Sequence, residues 1–251
     1  MKNSYVALIS FLLFFPLRSA AAVPDSLLVS DISRDTVDQA PAGWTQDLSK
    51  NQRVFTNYMV EYMEKGPYIR AASNSAGSWL EKDMGDLEVR NYPVLEWDWM
   101  VVAFPEVEWE KKLESDDFAI RLELIYDYPG GARSIWNMIK KGLITSLFRG
   151  NPPMLTVSYV WAVGVPVGEE YYHSASNRIA VVPVESGNTL LRRWVHQQRN
   201  IRDDLKRLAP EEKNLVLKKI RIRCDTEDSR SKAESGIRNI VLIEAGEGEK
   251  K

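Results

Sequence analysis

Apolar side chains return at alternate positions through two long runs, 95–102 and 116–126. Successive strand residues point to opposite sides, so Leu95, Trp97, Trp99 and Val101 share one face of the first run, and Glu96 and Asp98 share the other. The second run repeats the split, with Phe118, Ile120, Leu122, Leu124 and Tyr126 opposite Asp117, Arg121 and Glu123. Further short runs rich in β-branched and aromatic residues fall at 57–62, 68–72, 78–82, 155–163, 178–184, 189–198, 216–224 and 239–244. Gly66-Pro67, Tyr128-Pro-Gly-Gly131, Asn151-Pro-Pro153 and Ser186-Gly-Asn188 supply turn chemistry between them. Many short strands and few helical periods predict an all-β fold, an antiparallel β-sandwich.

Two helical patterns interrupt the strands. Over residues 133–148, from Arg133 to Phe148, Ile135, Ile139, Leu143 and Leu147 fall near one stripe, and Lys140, Lys141 and Arg149 add positive charge. This insertion, about 133–149, reads as a lid, a partner contact or a segment resting on anionic lipid. A second, short helix is predicted over 202–208, with Asn200 as its N-cap and its end before Pro210.

The N-terminus has its own pattern. After Lys2 comes the apolar run 5–15, broken only by Ser10, and then small residues at Ala20 to Ala22. The run is shorter than the roughly 20 residues a membrane span needs, and predicts a signal peptide over 1–22 with a periplasmic or secreted product. No Gly/Ser/Pro-rich linker or internal repeat divides residues 23–251, so they read as a single domain.

Composition narrows function by exclusion. The chain has 33 basic and 35 acidic residues, a net charge of −2, and loss of Lys2 and Arg18 with the leader makes it −4. No nucleic-acid signature follows. The one cysteine, Cys224, alternates with Ile220 and Ile222 and reads as a buried thiol. With two histidines and no phosphate-cradling loop, no cofactor or metal is predicted; Asp225-Thr-Glu-Asp228 offers only weak calcium-type donors.

The candidate chemistry lies on the charged faces. If the two long runs pair side by side, Glu96 and Asp98 approach Asp117, Arg121 and Glu123 at roughly 5 Å. Four carboxylates around one guanidinium is unbalanced, and Asp98 with Asp117 would make a carboxyl pair of the kind that cleaves glycosidic bonds. Downstream, His196 and Arg199 are further ligand candidates, although Arg199 has a competing use in holding Asp203 or Asp204. His173 reads as a loop residue. Trp97, Trp99 and Trp161 belong with the core, which leaves Trp44, Trp79, Trp109, Trp136, Tyr171 and Tyr172 as aromatics for stacking on sugars.

An ordered set of strings carries a resemblance. Pro41-Ala-Gly-Trp44, Pro93-Val-Leu-Glu-Trp-Asp-Trp99, Asp116-Asp-Phe-Ala-Ile-Arg121, Ser158-Tyr-Val-Trp161, Glu185-Ser-Gly187, Trp194 with Arg199-Asn200 and Asp203, and Cys224-Asp-Thr-Glu-Asp228 together resemble a family of exported bacterial proteins known as a domain of unknown function. The likeness covers nearly all of residues 23–251. It departs at Glu227, where a second aspartate is expected, and in the length of the 133–149 segment. The resemblance implies a jelly-roll sandwich similar to galactose-binding and carbohydrate-binding modules, and it brings no catalytic residues. The resulting expectation is a non-catalytic glycan-binding protein using Glu96, Asp98, Asp117, Arg121, Glu123, His196 and Arg199. The alternatives are a polysaccharide hydrolase or lyase acting through Asp98 and Asp117, and an envelope assembly protein docking through the basic helix.

Overall fold

A computed structural model of the chain describes residues 26–48, 54–107, 117–131, 153–174 and 176–246. The strands are β1 (Ser26–Leu28), β2 (Thr45–Gln46), β3 (Asn57–Met63), β4 (Gly66–Asn74), β5 (Trp79–Leu87), β6 (Val94–Ala103), β7 (Arg121–Asp127), β8 (Leu155–Ala162), β9 (Tyr171–His173), β10 (Ser176–Ser186), β11 (Val195–Asn200), β12 (Val216–Arg223) and β13 (Lys232–Ile243). A single α-helix among the described residues, α1 (Ile201–Leu208), follows β11 directly. Two sheets form a jelly-roll sandwich. The first runs β11-β6-β13-β4-β3 with β1 on β13, and the second runs β2-β5-β12-β7-β8-β10-β9.

The two long runs therefore do not pair. β6 lies between β11 and β13 in the first sheet, and β7 between β12 and β8 in the second. Their apolar faces both turn to the interior between the two sheets. Trp97 stacks on Tyr159 of the opposite sheet at 5.5 Å, and Trp99 meets Trp161 at 6.0 Å. Leu95, Trp97, Trp99, Leu122, Leu124 and Tyr126 are wholly buried there. Truncating Trp97 to alanine is expected to cost about 3–5 kcal/mol, read as a lowered urea midpoint at unchanged slope.

Three local readings change. The strand expected over 189–198 begins only at Val195, because 188–193 are turns closed by Leu191 N–H to Asn188 O and Arg193 N–H to Leu190 O, with Arg192 at φ 60°. Phe118, Ala119 and Ile120 precede β7 instead of opening it. The pairing is antiparallel except for β8 with β10, which run parallel; the connection a parallel pair requires is residues 163–175, which carry β9 to the far edge of β10. The short helix forms as its cap predicts, Asn200 Oδ1 accepting from Asp203 N–H at 3.0 Å. The 133–149 segment and the 1–22 leader lie outside the described residues.

Candidate functional site

The outer face of the second sheet is a lattice of paired charges. Strand register sets Glu81, Arg221, Glu123 and Ser158 in one row and Trp79, Arg223, Arg121 and Val160 in the next. Arg121 thus faces Arg223 directly, a like-charge opposition that costs energy unless a counterion intervenes. Asp225 supplies it, pairing with both guanidinium groups from a fully buried position. Arg221 and Lys219 share Glu81, and both Arg221 and Arg223 lie over the Trp79 ring, at 4.8 and 5.7 Å. The surplus of carboxylates inferred around Arg121 does not exist, because the Lys219, Arg221, Arg223 alternation of β12 brings cations to the same face. That alternation is plain in the sequence. What the sequence does not tell is which strand β12 joins.

This face is built for stability. Arg121 is 2% exposed and Glu123 5%, so neither is presented to a ligand, although Glu123 lies 3.9 Å from Arg121. Asp117 accepts from Ser229 N–H at 2.7 Å and so ties down the turn after Asp225. The Asp225-Thr-Glu-Asp228 string is an arginine counterion and a turn, and Asp225 has its charge spent on the two arginines. Burial and the adjacent Asp225 charge push the Cys224 thiol far above its ordinary range, as befits an inert buried cysteine. Beside Asp117 lies a cleft of about 150 Å³ walled by Phe104, Phe118, Trp161, Val165 and Tyr171. Trp161 and Phe118 are buried in its wall and offer no ring face for stacking. Among the other aromatics, Trp44 is buried with its indole N–H on Ser30, and Tyr172 donates to Leu208 O. Trp109 and Trp136 lie outside the described residues.

At the opposite side, the outer face of the first sheet is open and polar. His196, Asp98 and Arg238 fall in one cross-strand row, and Gln198, Glu96 and Val241 in the next. Asp98 is the hub, 3.0 Å from His196 Nδ1, 2.8 Å from Asn239 Nδ2 and 3.5 Å from Arg238 Nε. Gln198 Nε2 donates to Glu96 at 2.5 Å. Two neighbours in sequence, Arg238 and Asn239, reach one carboxylate because a β-bulge between Arg238 and Val241 places Asn239 at φ 52°, the kind of device that re-aims side chains beside a site. The Arg238 guanidinium lies 4.0 Å from the Trp194 ring centre, and Trp194 meets Tyr68 edge to face at 5.4 Å. Tyr68 in turn donates to Glu61 at 2.6 Å.

Gly236 lets this aromatic pair lie on the sheet. A Cβ there would stand 2.7 Å from Tyr68 Cδ2 and 3.3 Å from Trp194 Cη2. Gly236→Ala is therefore expected to displace both rings and destabilise the fold by about 1–3 kcal/mol, measured by thermal unfolding together with the Trp194 fluorescence maximum. Glu96, Asp98 and His196 were legible as candidates from the sequence. Arg238, Asn239 and Gly236 were missed, since only the pairing of β13 with β6 brings them alongside.

Arg199 belongs to a third group and takes its competing use. It binds Asp204 through Nε at 3.1 Å and Nη2 at 2.7 Å, while Tyr159 donates to the same carboxylate at 2.7 Å. Burial alone raises the Asp204 carboxyl pKa, but hydrogen bonds from Arg199 and Tyr159, the Arg199 charge and Arg207 outweigh it and hold it below the usual carboxylate range. A depressed folded value stabilises the protein above the unfolded carboxylate pKa, about 3.9, and that stability is lost as pH falls through the folded value. Asp204→Asn is expected to flatten the stability profile below about pH 4, checked by urea melts across pH.

No curated protein matches the chain. Among solved structures, a family 11 carbohydrate-binding module of a Clostridium thermocellum cellulosomal cellulase is similar at 8% identity, covering 88% of this chain and 96% of that one, with TM-score 0.43. Endoglucanase cel12A from Rhodothermus marinus aligns at 8% identity over 80% and 97%, TM-score 0.44, and the family 12 xyloglucanase from Bacillus licheniformis at 11% over 88% and 97%, TM-score 0.37. A sandwich shared at such distance carries no statement about ligand or reaction. Sequence gives the firmer relation: residues 42–241 match the family described as protein of unknown function (DUF3047), and the chain belongs to that family.

Proposed function

We propose that this chain is an exported, non-catalytic glycan-binding protein, and that its ligand lies on the outer face of the first sheet. The observation that supports this most is the His196–Asp98–Arg238 row with Asn239, flanked by Glu96 with Gln198 and edged by the half-buried Trp194 indole. Each sugar hydroxyl both donates and accepts. Carboxylate, amide and imidazole groups are planar or forked partners for adjacent hydroxyl pairs, and the buried Arg238 holds Asp98 in place behind them. Here they stand on paired strands, where backbone hydrogen bonding fixes their spacing better than a loop does. Export rests on the leader-like sequence of residues 1–22.

Cleavage is the weaker reading because its two proposed carboxylates are separated. Asp98 stands on β6 of the first sheet, and Asp117 lies beside β7 of the second, occupied with Ser229 N–H. Docking through residues 133–148 concerns a segment outside the described residues. Calorimetry and affinity electrophoresis against a panel of neutral and acidic polysaccharides test the proposal. Binding without release of reducing ends is the expected result; absence of binding across the panel overturns it, and steady product release overturns its non-catalytic part.

A further inference from the structure

The charge that projects from this same face is positive. The carboxylates on its strands are half-buried and held: Glu61 by Tyr68 and Arg70, Glu234 by Arg70, Asp98 by His196, Asn239 and Arg238, and Glu96 by Gln198. Arg192, Arg193 and Lys232 are exposed instead, and none of the three forms an ion pair among the described residues. Lys232 stands at the start of β13, two residues from Glu234. Glu106, exposed and tied through its N–H to Ser231 Oγ at 3.0 Å, stands close to Lys232. The charge open to a ligand therefore centres on the two arginines.

That pair is fixed beside the aromatic part of the face. Arg192 N–H donates to Val101 O of β6 at 2.8 Å, and Arg193 N–H closes the preceding turn on Leu190 O at 3.1 Å. Trp194 follows directly, half-buried, with the Arg238 guanidinium 4.0 Å from its ring centre. Arg238 is itself buried and paired with Asp98 at 3.5 Å, so it backs the indole and meets no ligand. What a ligand meets is an indole edged by two exposed guanidinium groups.

The chemistry of that edge favours an anion. Guanidinium forks match the paired oxygens of a carboxylate or a sulfate and give up their water more readily than ammonium groups do. Two like charges on successive residues also repel each other, a cost that a shared counterion removes. No carboxylate among the described residues takes that place, although every carboxylate on the strands of this face has a partner. Trp194 then supplies the apolar surface that the C–H side of a sugar covers, and Asp98, His196 and Gln198 remain for its hydroxyls.

We infer, on the saccharide-binding reading above, that this face takes an acidic glycan, with an anionic group on Arg192 and Arg193 and its sugar against Trp194. The test is calorimetry on the whole protein with hexamers of galacturonate, mannuronate and glucuronate, each beside its methyl ester, and with a sulfated galactose hexamer beside its desulfated form. At about 10 mM ionic strength, where the Debye length is roughly 30 Å, at least one anionic hexamer is expected to bind tenfold or more tighter than its uncharged counterpart. Which pair shows the gap tells carboxylate from sulfate. Arg192→Gln with Arg193→Gln is expected to remove most of the gap at an unchanged unfolding midpoint. Lys206→Gln with Lys213→Gln, an equal charge change at exposed residues on and after α1, is expected to leave it. Equal losses in the two double variants overturn the assigned site. Uncharged hexamers that bind as tightly as their anions overturn the charge selection and leave the saccharide reading standing. Binding of none of them overturns the inference, and the wider panel then decides the reading itself.

Discussion

Asp225→Asn is expected to destabilise the protein by about 3–5 kcal/mol, the usual cost of removing one partner from a buried ion group. The side chain is fully buried and is the shared counterion of Arg121 and Arg223, whose Cα atoms are direct cross-strand partners. Asparagine keeps the size and loses the charge, which leaves two guanidinium groups opposed in a place with little water to screen them. Urea unfolding followed by circular dichroism measures the loss. Arg223→Leu added to Asp225→Asn removes the repulsion and is expected to restore a substantial part of it, because an apolar replacement of a buried ion group is often neutral. A loss below about 1 kcal/mol in the single variant contradicts the role given to Asp225.

That network shows where the sequence was readable and where it was not. Alternation in β6 and β7 correctly placed Trp97, Trp99, Leu122 and Leu124 inside, since burial of large apolar groups is a local and strong preference. The same alternation could not say whether the charged faces of β6 and β7 share a sheet, because period-2 patterns fix a side and leave the neighbour undetermined. Asp98 and Arg121 were consequently read as one cluster, whereas each belongs to a cluster completed by a distant strand: Arg238 and Asn239 of β13 for Asp98, and Arg223 with Asp225 for Arg121. Arg199 and Asp204 were legible together because the strand-to-helix junction sets them five residues apart, Arg199 near the end of β11 and Asp204 in the first turn of α1, a local relation.

Asp98→Ala is expected to weaken glycan binding at least tenfold, or about 1.4 kcal/mol. The substitution removes the acceptor that orients His196, Asn239 and Arg238 together, so three donors lose their aim at once. It also strips a buried guanidinium of its counterion, and some loss of stability accompanies it. His196→Ala separates the two effects. His196 has a side chain 59% exposed, its removal leaves the Asp98–Arg238 contact in place, and a severalfold affinity loss at unchanged unfolding midpoint is expected. Wild-type affinity in both variants contradicts a ligand on this face.

The claim that the ligand lies on the outer face of the first sheet has a direct spatial test in an NMR titration of the isotope-labelled protein with an oligosaccharide of a polysaccharide that binds in the panel. The expected result is that shift changes gather at the backbone of Glu96, Asp98, His196, Gln198 and Asn239 and at the Trp194 indole N–H. Shifts confined to Asp117, Phe118 and Tyr171 around the cleft of the second sheet, with β6 and β11 unmoved, contradict it.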